Sequence, residues 1–366
     1  MILQIEPWID ENEKKYLDMV VESTFVTEHK LTKSFEDRIK DLTKSKHAIA
    51  ITNGTAALYC CLLSLGIGPG DEVIVPNLTF VATANSVIMT GATPVFCDVS
   101  PKSMCMELEQ VKSMVTDKTR CILPVHLFGN ASQMKELCEY AKSKNIKVVE
   151  DAAQGVGVKL NGQHVGTFGD LGILSFYGNK TITCGEGGII LTNDDSLAER
   201  CYQLKNHGRS RKGVFVHETI GFNFCFTEMQ AAIGLSQLDK LEKIVEIKKS
   251  IYEKYCAAFK NIKQICLPEN IDNLTSVMWM SYFFFDDKWN LEKFLKEENI
   301  QTRRFFYPLH LQPCYKDFPS IRKEGPYVNS ISLYEHGLCL PSSVLMSDKD
   351  QQVVIDKILE FYNKVS

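Results

Sequence analysis

The sequence predicts an α/β protein with a mainly parallel central sheet and a smaller C-terminal α+β domain. Short apolar segments alternate with helical segments through the first half of the chain, and this alternation changes after Thr192. Repeated βα winding implies parallel strands that are covered by helices. Apolar runs such as Val73-Ile74-Val75 are typical of strands that are buried on both faces.

The elements of the first half follow one another in a regular order. Helical patterns are found at residues 11–22, 33–43, 56–65, 82–90, 134–144 and 195–204. Short apolar strands are expected at residues 47–51, 72–75, 94–96, 121–124 and 147–150.

The second half begins with a long helical pattern at residues 227–259. Strands are expected within residues 278–285, and helices at 291–298 and 349–364. The long helix has the character of a spacer. We therefore predict a large domain at residues 1–245 and a small domain at 246–366.

Composition excludes several classes of protein. Of the 366 residues, 45% are hydrophobic and 23% are charged, which argues against a disordered chain, a coiled coil and a collagen-like fibre. The formal net charge is -4, from 41 Lys+Arg against 45 Asp+Glu, without the basic balance of a nucleic-acid binder.

The 13 cysteines include no C-x-x-C pair, so no metal site is expected. Scattered cysteines are typical of small buried side chains in a reducing compartment. No apolar run reaches the ~18 residues of a membrane helix, and the first residues do not have the pattern of a secretory signal. The expected location is the cytoplasm.

A lysine in a glycine-rich segment is the first candidate for chemistry. Lys180 follows an apolar strand and precedes the turn Cys184-Gly185-Glu186-Gly187-Gly188, where the backbone or a ligand can approach closely. Such a lysine can hold a carbonyl as a Schiff base if its pKa falls well below about 10.4. The alternative is a lysine that pairs with a carboxylate.

The second candidate is Asp151, which directly follows a predicted strand. Ligands of open α/β sheets gather at the carboxyl ends of the strands. A carboxylate there can hold the cationic ring nitrogen of pyridoxal phosphate (PLP), whose protonated ring takes up electrons from the substrate carbon. Capping of the next helix is the alternative for Asp151.

The turn Thr52-Asn53-Gly54-Thr55-Ala56-Ala57 joins a strand to a helix. Free N–H groups at the helix start suit a phosphate, and Ser175 can add a hydroxyl. Helix capping by Thr55 is the alternative. Neither a G-x-G-x-x-G after a strand nor a G-x-x-x-x-G-K-[ST] occurs, which argues against a dinucleotide fold and a P-loop.

Phe80 also follows a predicted strand, where an aromatic ring can stack on a flat cofactor. A place in the apolar core is the alternative.

Together these segments resemble the DegT/DnrJ/EryC1/StrS aminotransferases, which are PLP-dependent sugar aminotransferases of fold type I, the aspartate aminotransferase-like fold. The resemblance runs from about residue 5 to residue 362. Its most specific stretches are residues 53–58 (NGTAAL), 68–73 (GPGDEV), 150–154 (EDAAQ), 175–188 and 221–224 (GFNF). The stretches closest to the perosamine-synthase branch are residues 178–183 (GNKTIT) and 124–129 (PVHLFG).

The resemblance implies a role for each candidate. Lys180 would form the Schiff base with PLP and move protons at the substrate carbon, and Asp151 would pair with the ring nitrogen. Gln154 would approach the ring hydroxyl, while Phe80 would stack on the ring. The cofactor phosphate would be held by Gly54, Thr55, Ala56 and Ser175.

Three further residues are implied by the resemblance. Asn223 would reach the cofactor phosphate of a partner subunit, which implies a homodimer, although Asn is also common in turns. Many relatives have Tyr-Arg after this position, whereas Phe224-Cys225 follow here. Tyr307 and His310 would face the sugar nucleotide, although a histidine bonded to the backbone is an alternative.

The implied activity is transfer of an amino group from L-glutamate to C4 of a nucleotide-linked 4-keto-6-deoxyhexose, in surface-glycan synthesis. No nucleic acid, membrane or metal is expected to take part. Alternatives are a C3-directed aminotransferase and a catalytically idle binding module. A keto-sugar dehydratase is disfavoured because such relatives replace the lysine by histidine.

Overall fold

The computed structural model describes residues 1–209, 213, 215–316, 318, 321–322 and 325–365. The helices in these residues are α1 (Glu11–Ser23), α2 (Lys30–Thr43), α3 (Gly54–Ser64), α4 (Ala82–Met89), α5 (Leu108–Met114), α6 (Met134–Ser143), α7 (Asp195–Lys205), α8 (Glu228–Phe259), α9 (Lys288–Glu297), α10 (Val328–His336) and α11 (Asp348–Val365).

The strands form three sheets. They are β1 (His47–Ile51), β2 (Glu72–Pro76), β3 (Thr93–Cys97), β4 (Thr119–Ile122), β5 (Lys147–Asp151), β6 (Lys159–Leu160), β7 (Gln163–His164), β8 (Leu171–Ser175), β9 (Gly188–Thr192), β10 (Ile265–Cys266), β11 (Leu274–Thr275), β12 (Tyr282–Phe285), β13 (Arg303–Arg304) and β14 (Gly337–Cys339).

The large sheet confirms the predicted α/β architecture with a mainly parallel sheet. Its seven strands have the order β1-β9-β8-β5-β4-β2-β3, and the five from β8 to β3 pair in parallel. Strand β9 pairs antiparallel with both β1 and β8. The chain between β8 and β9 contains no helix to carry it back across the sheet, so it returns in the opposite direction.

Helices cover both faces of the large sheet. Neighbouring residues of one strand point to opposite faces, so Val73 and Val75 belong to the core beneath α3, α4 and α7, whereas Ile74 belongs to the core beneath α2, α6 and α8. The two faces therefore have separate apolar cores.

The second half of the chain builds a four-stranded antiparallel sheet with the order β10-β12-β14-β13. Helix α8 connects the two cores: Leu241 and Ile244 pack in the core of the large sheet, and Ile251 and Phe259 pack in that of the small sheet. The proposed division between residues 245 and 246 falls within this helix and stays a prediction.

One predicted strand is shorter in the structure. Pairing within residues 278–285 begins only at Tyr282, because Met278 has a positive φ of 49°, which an extended strand does not allow. Residues 278–281 therefore form irregular chain beside the large sheet. Among the described residues, none of the helices combines the length and apolar character needed to cross a membrane.

Candidate active site

A cavity of about 780 Å³ lies at the carboxyl ends of β1, β2, β5 and β8, where the large sheet meets residues of the small one. Its wall contains eight of the predicted cofactor residues: Gly54, Thr55, Ala56, Phe80, Asp151, Gln154, Ser175 and Lys180. These side chains come from separate segments of the sequence, and parallel strands bring them to one edge of the sheet.

The N-terminus of α3 forms one end of the cavity. Asn53 caps this helix, and its Oδ1 accepts a hydrogen bond of 2.9 Å from the N–H of Ala56. The Ala56 N–H is thus occupied, whereas the hydroxyls of Thr55 and Ser175 form no hydrogen bond to any described residue. An anion here would meet these hydroxyls and the positive end of the helix.

Two glycines allow the turn before α3 to lie close to the sheet. A Cβ on Gly54 would lie 3.1 Å from the Cβ of Ser175. A Cβ on Gly188 would lie 2.7 Å from the carbonyl carbon and oxygen of Asn53, closer than real Cβ contacts. The turn before α3 therefore depends on the absence of a side chain at Gly188.

Asp151 ends β5 and is 5% exposed. Burial raises the pKa of its carboxyl, while hydrogen bonds from the Thr83 hydroxyl and the Ala153 N–H oppose this rise. These two donors lie 2.9 Å from Oδ2 and 3.1 Å from Oδ1. A cationic ring nitrogen in the cavity would favour the ionised form of this buried acid.

Gln154 is oriented by the turn after β4. Its Oε1 accepts a hydrogen bond of 2.7 Å from the N–H of Phe128, a residue with a positive φ of 54°. The carbonyl end of the amide is thus occupied, and its NH₂ group is available for an acceptor such as a ring hydroxyl in the cavity.

Lys180 lies half-buried beneath the indole of Trp279. Its Nζ is 4.3 Å from the centre of the ring, and the indole Nε1 donates a hydrogen bond of 2.7 Å to the carbonyl of Asn179. Burial lowers the pKa of Lys180 to about 8; Asp151 opposes this decrease and Arg303 adds to it. At pH 7 about a tenth of the amine is therefore neutral and nucleophilic, far more than for a lysine with the ordinary pKa of about 10.4.

Phe80 is 54% exposed and faces the cavity after β2. The centre of its ring lies 5.9 Å from that of Phe306, at an angle of 56° between the planes. Its exposed face argues against the core alternative for this residue, since a core ring would be covered on all sides.

Asn223 lies outside the wall of this cavity, next to Phe224, which is part of it. Its side chain is exposed, and its backbone pairs with Asn206. The role proposed for Asn223 needs a second subunit, so it stays a prediction.

Tyr307 and His310 also lie outside the cavity wall. The ring of Tyr307 packs edge-on against Tyr334, with 5.2 Å between the ring centres. His310 bonds through Nδ1 to the side chain of Asn77 and packs 4.4 Å from the ring of Tyr327. Their contact with substrate stays a prediction.

His126 and Cys184 are both buried. The Nε2 of His126 lies 2.9 Å from Oε2 of Glu150, a carboxylate that also accepts the N–H groups of Gly166, Phe168 and Gly169. Cys184 is 2% exposed within the core of the large sheet.

Three cavity residues come from the small-sheet region and were not among the predicted site residues: Trp279, Arg303 and Phe306. Trp279 lies in a run of apolar residues that resembles an ordinary strand, so the sequence contains no local signal for it. Thr83, which holds Asp151, has no distinctive motif either.

These residues fit PLP. The α3 N-terminus suits its phosphate, the Gln154 amide its ring hydroxyl, the Asp151 carboxyl its ring nitrogen and the Lys180 amine its aldehyde. The four groups lie in the wall of one cavity. The donor set thus matches each polar atom of the cofactor with a group of suitable charge.

Comparison with known proteins agrees with this geometry. The DegT/DnrJ/EryC1/StrS aminotransferase family model matches residues 7–359. A GDP-perosamine synthase of Vibrio cholerae is 34% identical over 369 residues, covering 99% of this chain and 100% of the relative. That of Caulobacter vibrioides is 37% identical over 318 residues, covering 84% and 85% of the two chains.

Solved structures show the same fold. The aminotransferase TlmJ from Streptoalloteichus hindustanus has a TM-score of 0.94 with 27% identity, covering 100% of both chains. The PLP-form of a putative sugar aminotransferase, Spr1654 from Streptococcus pneumoniae, has a TM-score of 0.92 with 25% identity, covering 100% of this chain and 99% of that one. The chain belongs to the DegT/DnrJ/EryC1/StrS aminotransferase family and is a PLP-dependent aminotransferase.

Proposed function

We propose that this member of the family transfers the amino group of L-glutamate to C4 of a GDP-linked 4-keto-6-deoxyhexose. The donor carbon is oxidised from amine to ketone, giving 2-oxoglutarate, and the sugar carbon is reduced from ketone to amine. The proposal rests above all on the cavity that combines Lys180, with a pKa lowered to about 8, and the buried Asp151.

The residues of the cavity have separate tasks in this reaction. When bound, PLP supplies an aldehyde that carries the amino group and a ring that takes up electrons. The Nζ of Lys180 removes the proton from the α-carbon of glutamate and later delivers a proton to the aminated sugar carbon. Asp151 holds the positive charge of the ring nitrogen, and the aromatic rings of Phe80 and Trp279 limit access of water.

The nucleotide and the ring position are supported by the relatives. Those at 34% and 37% identity are named GDP-perosamine synthases. This favours a guanosine diphosphate and amination at C4, in the synthesis of a surface glycan. A C3-directed reaction on the same class of sugar is the alternative.

A panel of nucleotide keto sugars tests the substrate. Purified protein would be incubated with L-glutamate and GDP-, UDP- or dTDP-linked keto sugars, with release of 2-oxoglutarate measured and the product position assigned by NMR. We expect the GDP-linked 4-keto sugar to react fastest, with nitrogen at C4. Nitrogen at C3 would establish the alternative, and no transfer to any sugar would favour an idle binding module.

The Lys180 assignment has its own test. Borohydride reduction of the holoenzyme should attach the cofactor to the peptide that contains Lys180, and Lys180→Ala and Lys180→Arg should lose both the visible absorbance and turnover. Label on another peptide, or unchanged turnover in either variant, would overturn the assignment.

The proposal includes a homodimer in which Asn223 completes the cofactor site of the partner. The exposed side chain of Asn223 beside the cavity residue Phe224 supports it. Lys180→Ala and Asn223→Ala should each be impaired alone, while mixed dimers should regain activity because one of their two sites is intact. Mixed dimers without recovered activity would reject this role.

We also propose that the enzyme works in the cytoplasm, where nucleotide sugars are made. All 13 cysteines are free thiols in the structure, and most are buried. Such thiols suit a reducing compartment.

A further inference from the structure

Arg303 extends from the small sheet into the cavity wall. It lies on β13, whose backbone pairs with Cys339 of β14. The next residue, Arg304, forms an ion pair of 2.8 Å with Glu292 and lies outside the cavity. Because side chains alternate along a strand, only Arg303 of this pair reaches the site.

The guanidinium of Arg303 forms no hydrogen bond or ion pair with any residue that the structure describes. Other arginines differ: Arg304 pairs with Glu292, and Arg322 pairs with Glu72 at 2.7 Å. Arg303 is also half-buried. A cation that is partly removed from water without a counter-ion favours the binding of an anion at that place.

Two aromatic rings lie near the Arg303 guanidinium. Its Cζ lies 5.8 Å from the ring centre of Trp279 and 5.8 Å from that of Phe306. Aromatic rings at this distance attract a cation, and a planar guanidinium can donate two parallel hydrogen bonds from one edge. Carboxylates and phosphates both accept such a pair of bonds.

The same Trp279 ring contacts Lys180, whose Nζ lies 4.3 Å from its centre. The two cations are therefore separated by no more than the sum of their distances to that ring. Lys180 removes the proton from the donor α-carbon, and the α-carboxylate is bonded to that same carbon. In the nucleotide sugar, by contrast, the pyranose ring separates the diphosphate from C4.

We propose that Arg303 binds the α-carboxylate of the amino donor through a bidentate pair of hydrogen bonds. This inference rests on the proposed function, because it places the donor in the same cavity. It makes Arg303 a residue that orients the α-carbon towards Lys180 and selects an α-amino acid over a simple amine.

The test compares Arg303→Gln and Arg303→Lys with the matched control Arg304→Gln, which removes the same charge from the next residue. Holoenzyme would be mixed with L-glutamate without sugar, and the change in cofactor absorbance would give the apparent Kd of the donor. Loss of charge-assisted hydrogen bonds should raise this Kd at least about tenfold in Arg303→Gln. The Kd of Arg303→Lys should lie between those of the wild type and Arg303→Gln. The Kd of Arg304→Gln should equal that of the wild type.

A second donor identifies which group is bound. 4-Aminobutyrate is glutamate without the α-carboxylate, so its slow reaction should be equally slow in the wild type and in Arg303→Gln. The KM for the nucleotide sugar should stay within about twofold of the wild type. A rise confined to that KM would assign Arg303 to the diphosphate and overturn the proposal, as would an unchanged Kd for glutamate.

A measurement without turnover separates this inference from the proposed function. Glutarate, a dicarboxylate that cannot donate an amino group, would be titrated into each holoenzyme by calorimetry. Weaker binding to Arg303→Gln than to the wild type would support a carboxylate site even if glutamate proved not to be the donor. Equal binding, or none to the wild type, would overturn it. A wild type that binds glutarate but does not react with glutamate would contradict only the proposed function.

Discussion

The hydroxyl of Thr83 donates a hydrogen bond of 2.9 Å to Oδ2 of Asp151. Thr83 lies on α4 and is fully buried, so the acid in the cavity wall is held by a residue of a neighbouring helix. A chain of contacts continues to Thr79, whose hydroxyl is 3.2 Å from that of Thr83 and which lies in the cavity wall.

This contact predicts a specific effect of Thr83→Val. The substitution keeps the shape but removes a donor to the carboxylate, so the pKa of Asp151 should rise further and its hold on a cationic ring nitrogen should weaken. A hydrogen bond to a charged group corresponds to about tenfold in affinity or more. The dissociation constant of PLP, measured by absorbance titration of the apo protein, should increase by that factor.

The control for this prediction is Thr90→Val. Thr90 is also buried and donates a hydrogen bond of 2.7 Å to the carbonyl of Val87, away from Asp151. The substitution Thr90→Val should lower the stability of the protein without changing its affinity for PLP. Equal affinities in Thr83→Val and the wild type would show that Thr83 does not support the acid.

The low pKa of Lys180 predicts how the rate of Schiff-base formation with PLP, here called the capture rate, depends on pH. Below about pH 8 the amine is mostly protonated and cannot attack an aldehyde, so the capture rate should rise about tenfold per pH unit and level off above that value. Burial is the main cause of the lowered pKa of Lys180. Trp279→Ala should therefore admit water to the amine and move the midpoint of the pH dependence upwards, towards 10.5. Stopped-flow absorbance of apo protein mixed with PLP measures this.

Trp289→Ala is the matched control for that measurement. Trp289 also lies against a lysine, with the Nζ of Lys288 at 3.7 Å from its ring centre, but it lies outside the cavity. The midpoint in this variant should equal that of the wild type. A midpoint that does not move in Trp279→Ala would mean that the indole does not control the protonation of Lys180.

The close approach of β9 to the turn before α3 predicts that Gly188→Ala is destabilising. The new Cβ would lie 2.7 Å from backbone atoms of Asn53, which must move and disturb the turn proposed to bind the phosphate. Such overpacking costs roughly 1–3 kcal/mol. Urea unfolding should show this loss, and PLP affinity should fall as well.

Gly68→Ala provides the comparison. Its Cβ would meet only the carbonyl oxygen of Thr90, at 3.8 Å, which is ordinary contact. The change in stability should remain within about 0.5 kcal/mol. If Gly188→Ala were as stable as Gly68→Ala, the turn would not need the glycine on β9.

The buried Lys248 should make the free energy of unfolding depend on pH. It is 2% exposed on α8, and its Nζ donates to the carbonyls of Trp279 and Ser342 at 3.1 and 3.2 Å. Burial lowers its pKa from 10.5 to about 8. The unfolded chain therefore binds more protons between these values, so the penalty of the buried charge is complete below about pH 8 and disappears as the pH approaches 10.5.

Lys248→Met removes this titration. The stability of the wild type relative to Lys248→Met should thus increase by about 3 kcal/mol from pH 7.5 to pH 10.5. Lys249→Met, which alters an exposed neighbour paired with Glu253, should show no such trend relative to the wild type. Chemical unfolding at several pH values measures both differences, and a difference for Lys248→Met that is constant with pH would contradict the buried charge.

Much of the site follows from the sequence because its residues are next to strand ends. Asp151 closes β5, Gly54 begins the helix after β1, Phe80 follows β2 and Lys180 follows β8. Apolar strands that alternate with helices predict a parallel sheet, and such a sheet brings its carboxyl ends together. For these residues, local pattern and chain order predicted a place at one edge of the sheet, while their roles were implied by the family resemblance.

Only the tertiary structure decided the other side of the cavity. Trp279 and Arg303 lie more than 90 positions after Lys180. The pattern around Trp279 indicates a strand, and no role was predicted for Arg303. Trp279, which follows the positive φ of Met278, contacts Lys180, and the alternation of side chains on β13 places Arg303 rather than Arg304 in the cavity wall. Long-range packing determines such contacts, and the local pattern of residues around Trp279 or Arg303 does not contain them.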